Sequence, residues 1–219
     1  MRWLFGLVLL GLAAIIISGC SNFETTWNSK ITIVVDTPNG TVSGYSVTRE
    51  TASFTTGPLV PGEARGGGVS RAGEAVVVDL GDGKFLFALL PNPDSTQIFF
   101  PGQGPQDVAP KMAGLIGQSR KLNPRDYPKV SFPMLVTFSD IKNPKTVREV
   151  PPTNIAAVFG AGYRLKAVTL EITNEAVTEG GVAKVLGWLS DPKIMKNPDW
   201  ALLPVFSRQV INHLIEKVR

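Results

Sequence analysis

The chain is short of the residues from which most redox and metal centres are built. One cysteine, Cys20, and one histidine, His213, stand among 219 residues. A single cysteine permits no internal disulfide, and together the two leave a zinc site of the usual His/Cys kind without a ligand set. No run of five like charges occurs, and 22 basic residues against 18 acidic give a formal net charge of +4. That mildly basic, mixed surface lacks a nucleic-acid patch, so no nucleic acid is expected as a partner. There is no internal repeat, no low-complexity tract and no G-x-S-x-G elbow. Gly66-Gly67-Gly68 is not followed by the lysine and hydroxyl residue of a P-loop. No cofactor and no metal are expected.

What the chain does have begins at its start. After Arg2, residues 4–19 carry no charge. As a helix these 16 residues reach roughly 24 Å, short of the ~30 Å hydrocarbon core. The layout is that of a secretory signal. Its last residues, Ile17-Ser18-Gly19 followed by Cys20, resemble the lipobox of bacterial lipoproteins. The resemblance implies a diacylglycerol thioether on Cys20, cleavage between Gly19 and Cys20, and acylation of the new amine. Membrane lipid would then be held through acylated Cys20. One acyl chain binds marginally and two or more bind stably, at ~0.8 kcal/mol per buried methylene. Ser21 is not the aspartate that retains enterobacterial lipoproteins at the inner membrane. In a Gram-negative source the resemblance therefore favours the periplasmic face of the outer membrane.

The expected organisation is a cleaved signal over residues 1–19, a lipidated cysteine and polar tether over 20–29, and one globular domain over 30–219. The mature part keeps 21 basic and 18 acidic residues. Nine tether residues span at most about 30 Å. Within them Trp27 suits either a lipid interface or the domain surface.

Ile31-Thr32-Ile33-Val34-Val35 reads as a strand, and Asn39-Gly40 as a hairpin turn with two φ > 0 residues. The return strand is expected over 41–50, with Gly44 as a bulge. Residues 55–73, rich in glycine, proline and threonine, read as a flexible loop of about 19 residues. Val76-Val77-Val78 and the apolar run 85–90 flank Gly81-Asp82-Gly83 as a central hairpin. A helix is expected over 106–122, a strand over 132–138, an extended stretch over 147–159 and a strand over 165–173. A short helix over 182–189 and an amphipathic one over 204–218 complete the chain. The predicted class is α+β, a largely antiparallel sheet with two or three packed helices, the last of them C-terminal and amphipathic.

Candidate chemistry is sparse, and no catalytic residue is assigned. His213 at the edge of an apolar stripe suits a boundary residue better than a triad, and Ser207 six positions back is off its face. Asp79, Asp82 and the 81–83 backbone could offer oxygens to calcium, yet a hairpin turn explains them more simply. Glu171 and Glu175 are acids near a strand end, for which a solvated face is the plainer reading. Gly160-Ala161-Gly162 reads as a turn. The stretches Phe138-Ser139-Asp140-Ile141, Asn154-Ile155-Ala156-Ala157 and Leu170-Glu171-Ile172-Thr173 resemble a group of proteobacterial proteins of unknown activity, as do Val78-Asp79-Leu80-Gly81 and residues 86–90. That resemblance implies a Gram-negative source and carries no function over to this chain.

Two functions follow as expectations. One is a non-enzymatic, membrane-anchored lipoprotein binding an envelope protein or peptidoglycan. The other is a carboxylate-dependent hydrolase of cell-wall or exogenous polymer, with two acids about 5–9.5 Å apart and residues 55–73 as its lid.

Overall fold

Two long strands carry the architecture. In the computed structural model, which describes residues 21–56, 60–61, 66–90, 93–127, 129, 132–191 and 205–216, they are β1 (Ser21–Thr37) and β2 (Gly40–Thr56). They pair antiparallel without a register break from Ser21↔Thr56 to Thr37↔Gly40. The signal peptide, with Gly19 and Cys20, lies outside the described residues. Pro38 and Asn39 make the turn, and of the expected pair of left-handed residues only Gly40 has positive φ, at 123°. The Thr37 hydroxyl closes the turn by donating to the Gly40 carbonyl at 2.8 Å and accepting from the Asn39 amide at 3.2 Å.

Three expectations about this hairpin are corrected. Residues 21–29 are not a tether but the first half of β1, because Phe23 and Trp27 sit in the inward phase of the strand and have apolar partners there. Gly44 is not a bulge: the ladder runs through it, and a Cβ there would collide with the Val77 carbonyl of the facing sheet. The loop expected over 55–73 is mostly ladder, since β3 (Gly66–Glu74) pairs with β2 from Thr55↔Gly66 to Arg49↔Ala72. Ala52 and Phe54 carry the inward phase of β2 beyond Glu50, and glycines serve the ladder through their backbone alone.

All strand pairs among the described residues are antiparallel. β6 (Ser119–Lys121), β9 (Arg164–Thr173) and β10 (Ile215–Glu216) complete a six-stranded sheet ordered β10-β3-β2-β1-β9-β6. Ala75 alone separates β3 from β4 (Val76–Gly81), which enters a second sheet. There it is followed by β5 (Lys84–Ala88), β7 (Leu135–Phe138) and β8 (Val147–Glu149), in the order β4-β5-β7-β8. The expected 76–90 hairpin is therefore present, with β4 at an edge of its sheet and not at the centre. Ile31, Ile33, Val35, Val168 and Leu170 of the larger sheet meet Val76, Val78, Leu86 and Leu135 of the smaller one. Each such side chain contributes about 1.5–3 kcal/mol by burial.

Five short helices lie among the described residues: α1 (Ser95–Phe99), α2 (Pro105–Met112), α3 (Ala156–Phe159), α4 (Gly181–Val185) and α5 (Val205–Asn212). The α+β class is as expected, with more and shorter helices. Val182 and Leu186 join Val210, Ile211 and Leu214 in covering the far face of the smaller sheet at Phe87, Val136 and Phe138. Ala109 and Met112 of α2 cover Trp27, Ala52, Phe54 and Ile172 at the end of the larger sheet that the smaller one leaves open.

Three further expectations change. The 106–122 helix stops at Met112, passes through a 3-10 turn at Ala113–Leu115 and becomes β6 after Gly117, whose φ of 82° breaks it. The extended 147–159 stretch is three residues of β8 followed later by α3. The C-terminal helix ends at Asn212, because Ile215 and Glu216 pair with Glu74 and Gly73 of β3.

Candidate functional site

Two acids are buried among the described residues, and one of them, Glu50, is paired with a cation. Glu50 lies in the inward phase of β2 and is 1 % exposed. Its carboxylate accepts from the Ser29 hydroxyl at 2.5 Å and the Ser95 hydroxyl at 2.8 Å, and pairs with Arg71 of β3 at 3.2 Å. The Trp27 indole N–H donates to Ser95 Oγ at 3.0 Å. Arg71 also donates to the Pro93 carbonyl at 2.8 Å and to the Leu90 carbonyl, which ties the larger sheet to the end of β5. Asp94 caps α1 through the Thr96 amide at 2.9 Å and so places Ser95. A second buried acid, Glu74, accepts from the Gly181 and Val182 amides, both at 3.0 Å, at the start of α4. Both acids hold elements together. Of the two readings of Trp27, the structure selects packing, at 5 % exposure.

A cleft of about 290 Å³ opens beside this network. Thr26, Trp27 and Asn28 of β1 line it with Ile172, Thr173 and Asn174 at the end of β9, together with Arg49, Ala113 and Ile116. Successive strand residues face opposite sides of a sheet, so three in a row on two strands place the cleft at an edge. Arg49, Asn28 and Thr173 form a row across β2, β1 and β9. Ile116 is 49 % exposed at its rim. No Asp or Glu lines the cleft.

The residues singled out from sequence fall elsewhere. Glu171 is opposite Lys30 in the β1–β9 ladder, and Glu175 pairs with the same lysine at 2.6 Å. The hydrogen bond to Glu175 raises the Lys30 pKa above its usual value. Asn28 Nδ2 donates to the Glu175 carbonyl at 2.9 Å, so this pair fastens the segment after β9 over the sheet. Asp79 accepts from the Gly81 amide at 2.9 Å, and Asp82 adopts φ 53° in the β4–β5 turn. His213 follows α5, where its carbonyl accepts from the Leu90 amide at 3.2 Å. The side chain of Ser207 lies outside the description. Gly160 and Gly162, at φ 105° and 88°, form the turn into β9, while Gly66–Gly68 belong to β3. Among the described residues no group of three His, Cys, Asp or Glu could hold a metal, and no helix is long and apolar enough to cross a membrane.

Fold and cleft together describe a scaffold with a polar, cationic edge site. No family model matches the chain, and neither a curated protein nor a solved structure does. Glu50, Arg71, Arg49 and Ile116 do not stand out in the sequence as site residues. For Glu50 a signal was present: even-numbered Val42, Ser46, Thr48, Ala52 and Phe54 share one strand phase, and a glutamate in that phase marks a buried acid.

Proposed function

We propose that the chain is a lipid-tethered envelope domain that binds another envelope component and performs no chemistry of its own. The observation carrying this reading is the edge cleft, which combines Arg49, two asparagines and an exposed isoleucine with no carboxylate. A concave site with few polar groups and one charge suits recognition. The hydrolase reading draws no comparable support. Of the expected lid over 55–73, residues 55–56 and 66–73 are strand, and Glu50 and Glu74 are spent on internal contacts.

The tether rests on the lipobox resemblance at Ile17, Ser18, Gly19 and Cys20, with the outer membrane as the favoured site. Intact-mass spectrometry of the full chain from membranes should find acyl groups on Cys20, and Cys20→Ala should move the protein out of the membrane fraction. A free thiol on Cys20 in the membrane-bound protein overturns the tether. For binding, the full chain in detergent should retain an envelope protein or peptidoglycan from an envelope extract. Retention of neither overturns that part.

A further inference from the structure

Hydrogen bonding shows which way the backbone of β1 faces. The Gly117 amide donates to the Ile172 carbonyl at 2.7 Å, the Ile172 amide to Gln118 at 3.1 Å and the Leu122 amide to Val168 at 2.8 Å. Even-numbered β9 residues therefore face β6 and the odd-numbered ones face β1, where they meet Asn28, Lys30 and Thr32. Even-numbered β1 residues thus direct their amides and carbonyls toward the β9 side. β9 ends at Thr173, opposite Asn28. Beyond that point Asn22, Glu24 and Thr26 present three amides and three carbonyls to a side where no strand stands among the described residues.

This open half-edge runs into the cleft at Thr26. A row of backbone donors and acceptors is matched by another extended backbone, and strand addition is a recurring mode of peptide recognition. The Arg49 side chain lines the end of the edge, and its guanidinium makes no hydrogen bond or ion pair among the described residues. A cation at that end selects a carboxylate over an amine. β1 runs from Ser21 toward Asn28, so a segment ending in the cleft with its C-terminus lies parallel to β1. Glu24, exposed on the face that carries Asn28, favours a lysine or arginine two positions before that carboxylate. A second copy of this chain fits less well, since antiparallel self-pairing about the middle of the open edge sets Glu24 beside its own copy.

We propose that the open edge of β1 binds the C-terminal end of an extended polypeptide, added parallel to β1 with its carboxylate at Arg49. The inference rests on the binding reading above and names its partner class. The probe is a fluorescein-labelled octapeptide of alternating valine and threonine, with lysine third from a free C-terminus. It is titrated by anisotropy against the full chain in detergent, beside the same peptide as its amide. The amide should bind about tenfold more weakly, and Arg49→Glu should lose the preference for the acid. Thr26→Pro removes only an amide that faces away from β2, so it should keep the parent's melting temperature and lose the peptide. Equal affinity for acid and amide, no binding of either at millimolar peptide, or unchanged binding by both variants overturns the proposal. So does a dimer of the full chain that Thr26→Pro dissociates. An envelope component still retained by Thr26→Pro and Arg49→Glu overturns this site while leaving the binding reading standing.

Discussion

Glu50 and Arg71 illustrate how unequal the two ways of removing a buried charge are. Their pairing is hydrogen-bonded on both sides, so neither is left alone. Glu50→Ala strands the guanidinium and should cost about 3–5 kcal/mol in urea unfolding. The double variant Glu50→Leu with Arg71→Met should cost less than the single one, because no charge remains to be desolvated. A single variant within about 0.5 kcal/mol of the parent would contradict the ion-pair assignment. Asp36 behaves differently because it is at the surface. A hydrogen bond from Thr41, then Lys166 and Arg164, holds its carboxyl below the ordinary 3.8. A lowered folded value means its stabilisation is present above the ordinary value and fades as pH falls through the lowered one. Asp36→Asn should therefore flatten the acid limb of melting temperature against pH below about pH 4, with little change near neutrality.

At the level of elements, the sheets come close together at Gly44, where any side chain runs into the Val77 carbonyl. Gly44→Ala should cost about 1–3 kcal/mol through displaced strands, measured as a lower urea midpoint at unchanged slope. Elements with a local cause were legible in the sequence. Ile31 to Val35 and the alternation of Val168, Leu170 and Ile172 are strands as read, and Gly81-Asp82-Gly83 is a hairpin turn. Elements decided by distant partners were not. Residues 21–29 look polar, yet Trp27 is fixed by Ser95 and Ile172 far along the chain. Gly66 to Ala72 carry almost no strand propensity and are strand because the back half of β2 needs a neighbour. Ile215 and Glu216 leave a helical pattern for the same reason on β3. The edge cleft was the least legible feature, because Arg49, Asn28, Ile116 and Asn174 share no sequence signal and meet only through the register.

The molecule as a whole is layered: a six-stranded sheet, a four-stranded sheet and a partial cover of helices. The cover is incomplete without the last elements. A chain ended after Asp191 loses Val210, Ile211 and Leu214 from above Phe87, Val136 and Phe138. That removes several buried side chains at about 1.5–3 kcal/mol each. The shortened protein should bind anilinonaphthalene sulfonate strongly where the full chain does not, and equal dye fluorescence would show the outer helices to be dispensable.

The order of strands has a consequence in time. β1 is the first described strand, and its neighbour β9 lies far down the chain; Lys30 and Glu175, which lock the two together, are 145 residues apart. A chain emerging N-terminus first completes the β1–β2 hairpin early and then holds the other side of β1 unpaired until β9 has emerged to cover Asn28–Asp36. Closure over such a separation is slow, and an open edge is prone to pair with other chains meanwhile. The charged residues along β1, Glu24, Lys30 and Asp36, are spaced so that no long apolar window is bare on that edge during the wait.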